Sequence, residues 1–195
     1  MAPETGPEGA EVRLNPLGYQ ILGVIARAPV SGYDVMKALH RFRPVRISQV
    51  YASLAVMEAA QLVRVHDVMQ QGKPNKRVHE ITPKGGQVLD AWIAEPTAHP
   101  AQNDEFVRKV YSLWHAPTDE RRRLIRDRQA WLRAEVRHFE QMQADLTKSA
   151  PGHDADPGRW EFSRGILLKR RLALMTEELR WCESVLALLS PNPEI

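Results

Sequence analysis

Pro16, Pro29, Pro44 and Pro83 cut the N-terminal half of this chain into short pieces. Asn15-Pro16 joins an N-cap residue to proline at the first helical position. Leu17, Ile21, Val24 and Ala28 then follow at helical spacing until Pro29. A second helix is expected from Ser31-Gly32-Tyr33-Asp34 through Leu39. After Pro44, Ser48 is the expected N-cap of a third helix, with Val50, Leu54 and Met57 on one face. Leu62 to Met69 alternates in the manner of a strand, and Arg77 to Thr82 returns as a second one. Between them QQGKPNK, residues 70–76, reads as a hairpin tip. Thr82-Pro83 caps a further helix to about Glu95. Helices this short are marginal alone and must share a core. Three of them with a β-hairpin make a winged helix-turn-helix.

The Pro-rich joint EPTAHPAQN, residues 95–103, separates this region from a helical second half. The expected organisation is a tail over 1–13, a winged helix-turn-helix domain over 14–95, and a helical dimerisation domain over 104–190. The fold class is therefore mainly α. One helix is expected over Asp104–His115, a long one over Thr118–Ser149, and a last one from Trp160 to about Leu189. In that last helix Leu168, Leu172, Met175, Leu179, Cys182, Leu186 and Leu189 recur in steps of four and three, an a/d seam. Such a seam can pack inside its own subunit or between two. The small size of the C-terminal region favours the second, so these seven residues are the expected dimer interface. Leu167, Leu174, Trp181 and Val185 widen the stripe enough to serve a second neighbour.

Composition sets limits. Of 195 residues 43% are apolar, which allows a packed core. Cys182 is the sole cysteine, which excludes an internal disulfide and fits a cytoplasmic location. No run of 18 apolar residues is present, so a spanning helix and a membrane partner are not expected. The N-terminal MAPETGPEGAEV lacks the apolar segment of a signal peptide. Net charge is only +3, but its placement is uneven. No acid occurs from Val35 through Met57, where Lys37, Arg41, Arg43 and Arg46 stand, nor from Val68 through His79, where Lys73, Lys76 and Arg77 stand. Two acid-free basic windows point to an anionic partner.

Turning the third helix at 100° per residue groups Gln49, Ala52, Ser53 and Val56 opposite its core face. Such a surface suits the major groove: its side chains are small, and glutamine can make a paired contact with adenine. Gln49, Ala52 and Ser53 are the candidates for base edges. Arg43, Arg46, Tyr51, Lys73, Lys76 and Arg77 are the candidates for the DNA backbone, which supplies affinity and register, and Ser48 and Asn75 are further DNA-binding candidates; the wing can touch the backbone or lie along the minor groove. Tyr51 can alternatively hold the helix to its neighbour.

Several pieces together resemble the PadR-like transcriptional regulators. They are Ser31-Gly32-Tyr33-Asp34, Ile47-Ser48-Gln49-Val50-Tyr51-Ala52-Ser53-Leu54, Leu62-Val63, Gly72-Lys73-Pro74 and Ile81-Thr82-Pro83-Lys84-Gly85-Gly86. Asp104-Glu105-Phe106 to Tyr111 and Glu178 to Leu189 resemble the longer subfamily's C-terminal helices. This chain departs from the family's usual residues at Ser31 (histidine), Ala52 (proline) and Gln61 (glycine). The resemblance implies a homodimer that represses a nearby promoter and is released by a small-molecule effector. Its partner would be double-stranded DNA with a palindromic operator, half-site centres lying about 34 Å apart or a multiple of that.

No nucleophile elbow, phosphate loop, dinucleotide fingerprint or HExxH occurs, so neither an enzyme nor a cofactor is expected. His66 and His79, with Asp67 and Glu80, could face each other across the hairpin as metal ligands. Polar cross-strand pairing is the simpler reading, and no metal is expected. Among five tryptophans, Trp92 and Trp114 are the candidates for an aromatic effector pocket, against ordinary core packing. A different class of function, a winged-helix protein-interaction module, would use the same wing charge on an acidic partner.

Overall fold

A computed structural model describes residues 12–40, 44–69, 76–97 and 104–190. The chain forms two compact units, Met1–His99 and Pro100–Ile195. The first unit runs α1 (Pro16–Ile25), β1 (Val30–Ser31), α2 (Gly32–His40), α3 (Ile47–Ala59), β2 (Val63–Val68), β3 (Lys76–Ile81) and α4 (Pro83–Ala94). It is a winged helix-turn-helix. Both proline-led starts are capped by side chains: Asn15 Oδ1 accepts from Gly18 N at 2.8 Å and Thr82 Oγ1 from Gly85 N at 3.0 Å. Ile21, Leu22, Val35, Val50, Leu54, Met57 and Leu62 form the centre of the core, each at most 1% exposed.

The sheet has the order β1-β3-β2, both pairings antiparallel. The two-residue β1 is absent from the sequence reading, because Val30-Ser31 is too short to show a period. It makes β3 the central strand. The register pairs Val65 with His79 and His66 with Val78. Side chains of successive pairs point to opposite faces, so the two histidines do not face each other as a metal pair.

The second unit holds α5 (Glu105–Tyr111), a 3₁₀ turn (Leu113–His115), α6 (Thr118–Ser149), a second 3₁₀ turn (His153–Ala155) and α7 (Trp160–Leu188). The single helix expected over Asp104–His115 is broken after Tyr111. Arg121 holds the broken turn by donating to Ala116 O at 2.6 Å and Trp114 O at 2.7 Å. The long helices α6 and α7 bury Ile125, Leu132, Phe139, Met142 and Leu146 against Leu168, Met175 and Cys182. No helix among the described residues is long and apolar enough to cross a membrane.

Candidate nucleic-acid interface

Helix α3 is set against α2 by a close approach at Gly32. A Cβ there would stand 2.8 Å from Tyr51 Cε1 and 3.1 Å from Leu54 Cδ1, so only glycine fits without displacing the ring. Tyr51 thus packs one edge on α2 while staying half exposed. The opposite face of α3 presents Gln49, Ala52 and Val56 to solvent, with Ser53 half-buried. It carries no acid in its first turn.

The helix begins one residue before the expected cap. Arg46, in extended conformation, is the N-cap, and Ser48 lies exposed in the first turn. Gln49 makes the capping contact instead: its Oε1 accepts from Arg46 N at 3.2 Å, half of a capping box. Ser53 Oγ donates to Gln49 O at 2.9 Å. Gln49 Oε1 and Ser53 Oγ are thus both engaged with the backbone of the helix itself. Arg46 stands exposed at the positive end of the helix dipole, where a cation is unfavourable and an external anion would be favoured.

Lys76 and Arg77, expected at the DNA backbone, open strand β3 with their charges already engaged. Lys76 Nζ donates to Asp34 Oδ2 of α2 at 2.6 Å, and Ser31 Oγ donates to the same oxygen at 2.8 Å. These donors hold the Asp34 carboxyl below the usual aspartate range, the Lys76 bond contributing most. Arg77 Nη2 donates to Glu58 Oε2 at 2.8 Å, and His79 Nε2 lies 3.0 Å from Glu58 Oε1. Pairs separated by 42, 19 and 21 residues leave no local signature in the sequence. Arg64 and Glu80, register partners on β2 and β3, form a two-bonded ion pair at 2.6 and 3.1 Å. Arg43, Lys73 and Asn75 lie outside the described residues.

Trp92 of α4 stacks on Tyr19 of α1, centroids 4.6 Å apart and planes 4° from parallel. The pair lines a cavity of about 460 Å³ with Arg13, Gln87, Val88 and Glu95. Trp114 belongs to the second unit, where it is 74% exposed beside His115. Sequence reasoning missed a second cluster there. Arg128 of α6 bonds Asp104 at 2.9 Å and Glu178 at 2.7 Å, and its guanidinium lies 4.7 Å from the ring centres of both Phe106 and Trp131. Nothing in the spacing of these residues marks the arginine as their common partner.

The seam on α7 is occupied within its own subunit. Leu168, Met175 and Cys182 are buried on α6, with Leu172, Leu179, Leu186 and Leu189 packed around them. Of the two placements open to the heptad pattern, the one inside the subunit is met on this face by the antiparallel neighbour α6. Burial pushes the Cys182 thiol pKa up, the expected state of a packing residue. Among the large apolar side chains left exposed on α7, which include Trp160 and Ile166, Leu167, Leu174, Trp181 and Leu188 recur at seven-residue intervals.

Residues 21–91 match the transcriptional regulator PadR-like family, and residues 102–190 match the virulence activator alpha C-terminal family. The first unit is thus similar to the PadR-like regulators over residues 21–91. The negative transcriptional regulator PadR of Bacillus subtilis (strain 168) is 26% identical over 182 residues, which is 90% of this chain and 98% of that protein. The B. subtilis PadR structure in complex with operator DNA superposes with a TM-score of 0.79 at 23% identity, covering 90% of this chain and all of that one. Its complex with p-coumaric acid gives 0.77 at 22%, covering 92% of this chain and all of that one. The Vibrio cholerae virulence activator AphA gives 0.65 at 26%, covering 89% and 97%.

Within this PadR-like frame the departure at Gln61 acquires a physical meaning. Helix α3 ends in a Schellman motif: Leu62 N donates to Met57 O at 2.8 Å and Gln61 N to Glu58 O at 3.0 Å. Gln61 is the left-handed residue of that motif, with φ 59°, the one non-glycine of positive φ among the described residues. The usual family glycine sits where glycine is least strained.

Proposed function

We propose that this chain is a cytoplasmic, homodimeric transcriptional repressor that binds a palindromic operator and is released by a small molecule. In this reading α3 enters the major groove. Gln49, Ala52 and Ser53 meet base edges, and Arg46, Ser48 and Tyr51 meet phosphates. Arg43, Lys73 and Asn75 join the backbone contacts on their place in the basic windows of the sequence. The carrying observation is the outward face of α3: no acid in its first turn, small exposed side chains, and Arg46 at the helix N-terminus without favour from the dipole. The near full-length likeness to a negative transcriptional regulator supports the sign of regulation. The exposed stripe Leu167, Leu174, Trp181 and Leu188 is the surface assigned to the second subunit, because a row of large apolar side chains at heptad spacing calls for another helix.

The cavity beside Trp92 is the effector site in this proposal. Its size suits a small organic ligand, and it combines a stacked aromatic wall with Arg13 and Glu95. Trp114 is not among its lining residues. B. subtilis PadR binds p-coumaric acid, which makes phenolic acids the first compounds to screen. The deciding experiment is fluorescence anisotropy on the promoter DNA upstream of the chain's own gene, beside a scrambled duplex, across a salt series. Preferential binding that weakens with salt supports the repressor reading. Equal, weak binding to both duplexes with capture of an acidic protein partner would replace it with an interaction module.

A further inference from the structure

Strand β3 is gripped at its first residues by two carboxylates from the two helices of the helix-turn-helix. On one side Asp34 of α2 takes Lys76, with Ser31 on the same oxygen. On the other, Glu58 in the last turn of α3 divides its two oxygens between Arg77 and His79. The second grip is the more constrained. The His79 side chain is 2% exposed, Glu58 27% and Arg77 63%. The contact with Glu58 is the hydrogen bond that buried imidazole makes among the described residues, since its Nδ1 has no partner. Loss of Glu58 would leave the ring buried with neither nitrogen bonded. Because β3 is central in the sheet, moving it moves β1 and β2 as well.

We propose that Glu58 and Asp34 are positioning residues that lock the wing to the recognition helix and its partner helix, with Lys76 and Arg77 serving that lock and not the phosphates. The inference rests on the DNA-binding reading above. It makes a claim about charge: two cations that a count of basic residues assigns to DNA are withdrawn from it. A locked hairpin fixes the angle between wing and recognition helix before binding, so the ordering cost is met on folding.

The test uses the full chain with Glu58→Ala, Arg77→Ala and the double variant, measured by anisotropy on promoter and scrambled duplexes over a salt series. The lock predicts that Glu58→Ala, which also orphans the buried His79, binds promoter DNA about tenfold more weakly, and that Arg77→Ala, which removes only the more exposed pair, binds it about threefold more weakly. The salt slope stays at the wild-type value, and the double variant is no weaker than the worse single one. A phosphate-bound Arg77 gives a different pattern: Arg77→Ala flattens the slope by about one unit, and Glu58→Ala frees a cation and tightens binding. Either of those results, or unchanged affinity in both singles, overturns the proposal. Amide hydrogen exchange on the free proteins supplies a readout independent of DNA. Glu58→Ala should speed exchange across residues 63–68 and 76–81 and leave the α1 core amides protected; unchanged hairpin protection overturns the lock. If wild-type protein shows no duplex preference, the repressor reading fails on its own, and hydrogen exchange still judges the lock.

Discussion

Replacing Gln61 with glycine should stabilise the first unit. Gln61 holds φ 59° at the end of α3, where an L side chain costs about 1–2 kcal/mol. Glycine returns about 0.5–1 kcal/mol of that through its freer unfolded chain. The side chain is exposed, so no packing is lost. The bonds at this position are made by backbone: Gln61 N to Glu58 O, and Thr82 Oγ1 2.8 Å from Gln61 O. The expected net gain is about 0.5–1 kcal/mol, visible as a higher urea midpoint at unchanged slope, with protein concentration held constant across variants. Gln61→Ala is the control. It keeps the Cβ and the strain, so its midpoint should stay near wild type. A glycine variant no more stable than wild type, or an alanine variant that gains as much as glycine, would refute the assignment of strain to this residue.

Gln49→Ala should cost about 1–3 kcal/mol at the cognate site and relax preference at one or two base pairs; equal losses on cognate and scrambled DNA would remove Gln49 from the groove. Leu174→Glu places a charge on the exposed stripe of α7 and should weaken self-association in sedimentation while the circular dichroism of the subunit is retained. A charge at Leu179, which packs on α6, should instead unfold the second unit. The pH dependence of the Asp34 grip has a definite sign. Its folded carboxyl titrates below the usual aspartate range, so the stabilisation is present above that range and is lost as pH falls through the depressed value. The stability gap between wild type and Asp34→Asn should therefore be open at neutral pH and close in strong acid; a gap independent of pH would contradict the Lys76 pairing.

The features legible in the sequence are those whose cause is local. Asn15-Pro16 and Thr82-Pro83 announced their helices because a cap and a proline act within one turn. The core face of α3 followed from period alone, and Val50, Leu54 and Met57 are buried as expected. Ser48 misled because serine commonly caps, whereas here Gln49 bonds back to the Arg46 amide. The α7 heptads showed that a helix must cover Leu168 and Cys182, but periodicity does not say whose helix, and α6 supplies it. The ion pairs of Lys76 and Arg77 leave no sign in the sequence because their acids lie on other elements, 42 and 19 residues away.

The bond from Gln49 to the Arg46 amide has a consequence for how such a helix would search DNA. A reading side chain folded onto its own helix end presents little to a wrong sequence. Electrostatic contacts alone would carry the protein along the duplex in that closed state. At the right base the amide group would exchange an internal partner for an external one, and the helix end would surrender its cap. Scanning and reading would then differ by one side-chain rotation, and the time spent at each site would depend on whether the base repays the cap it displaces.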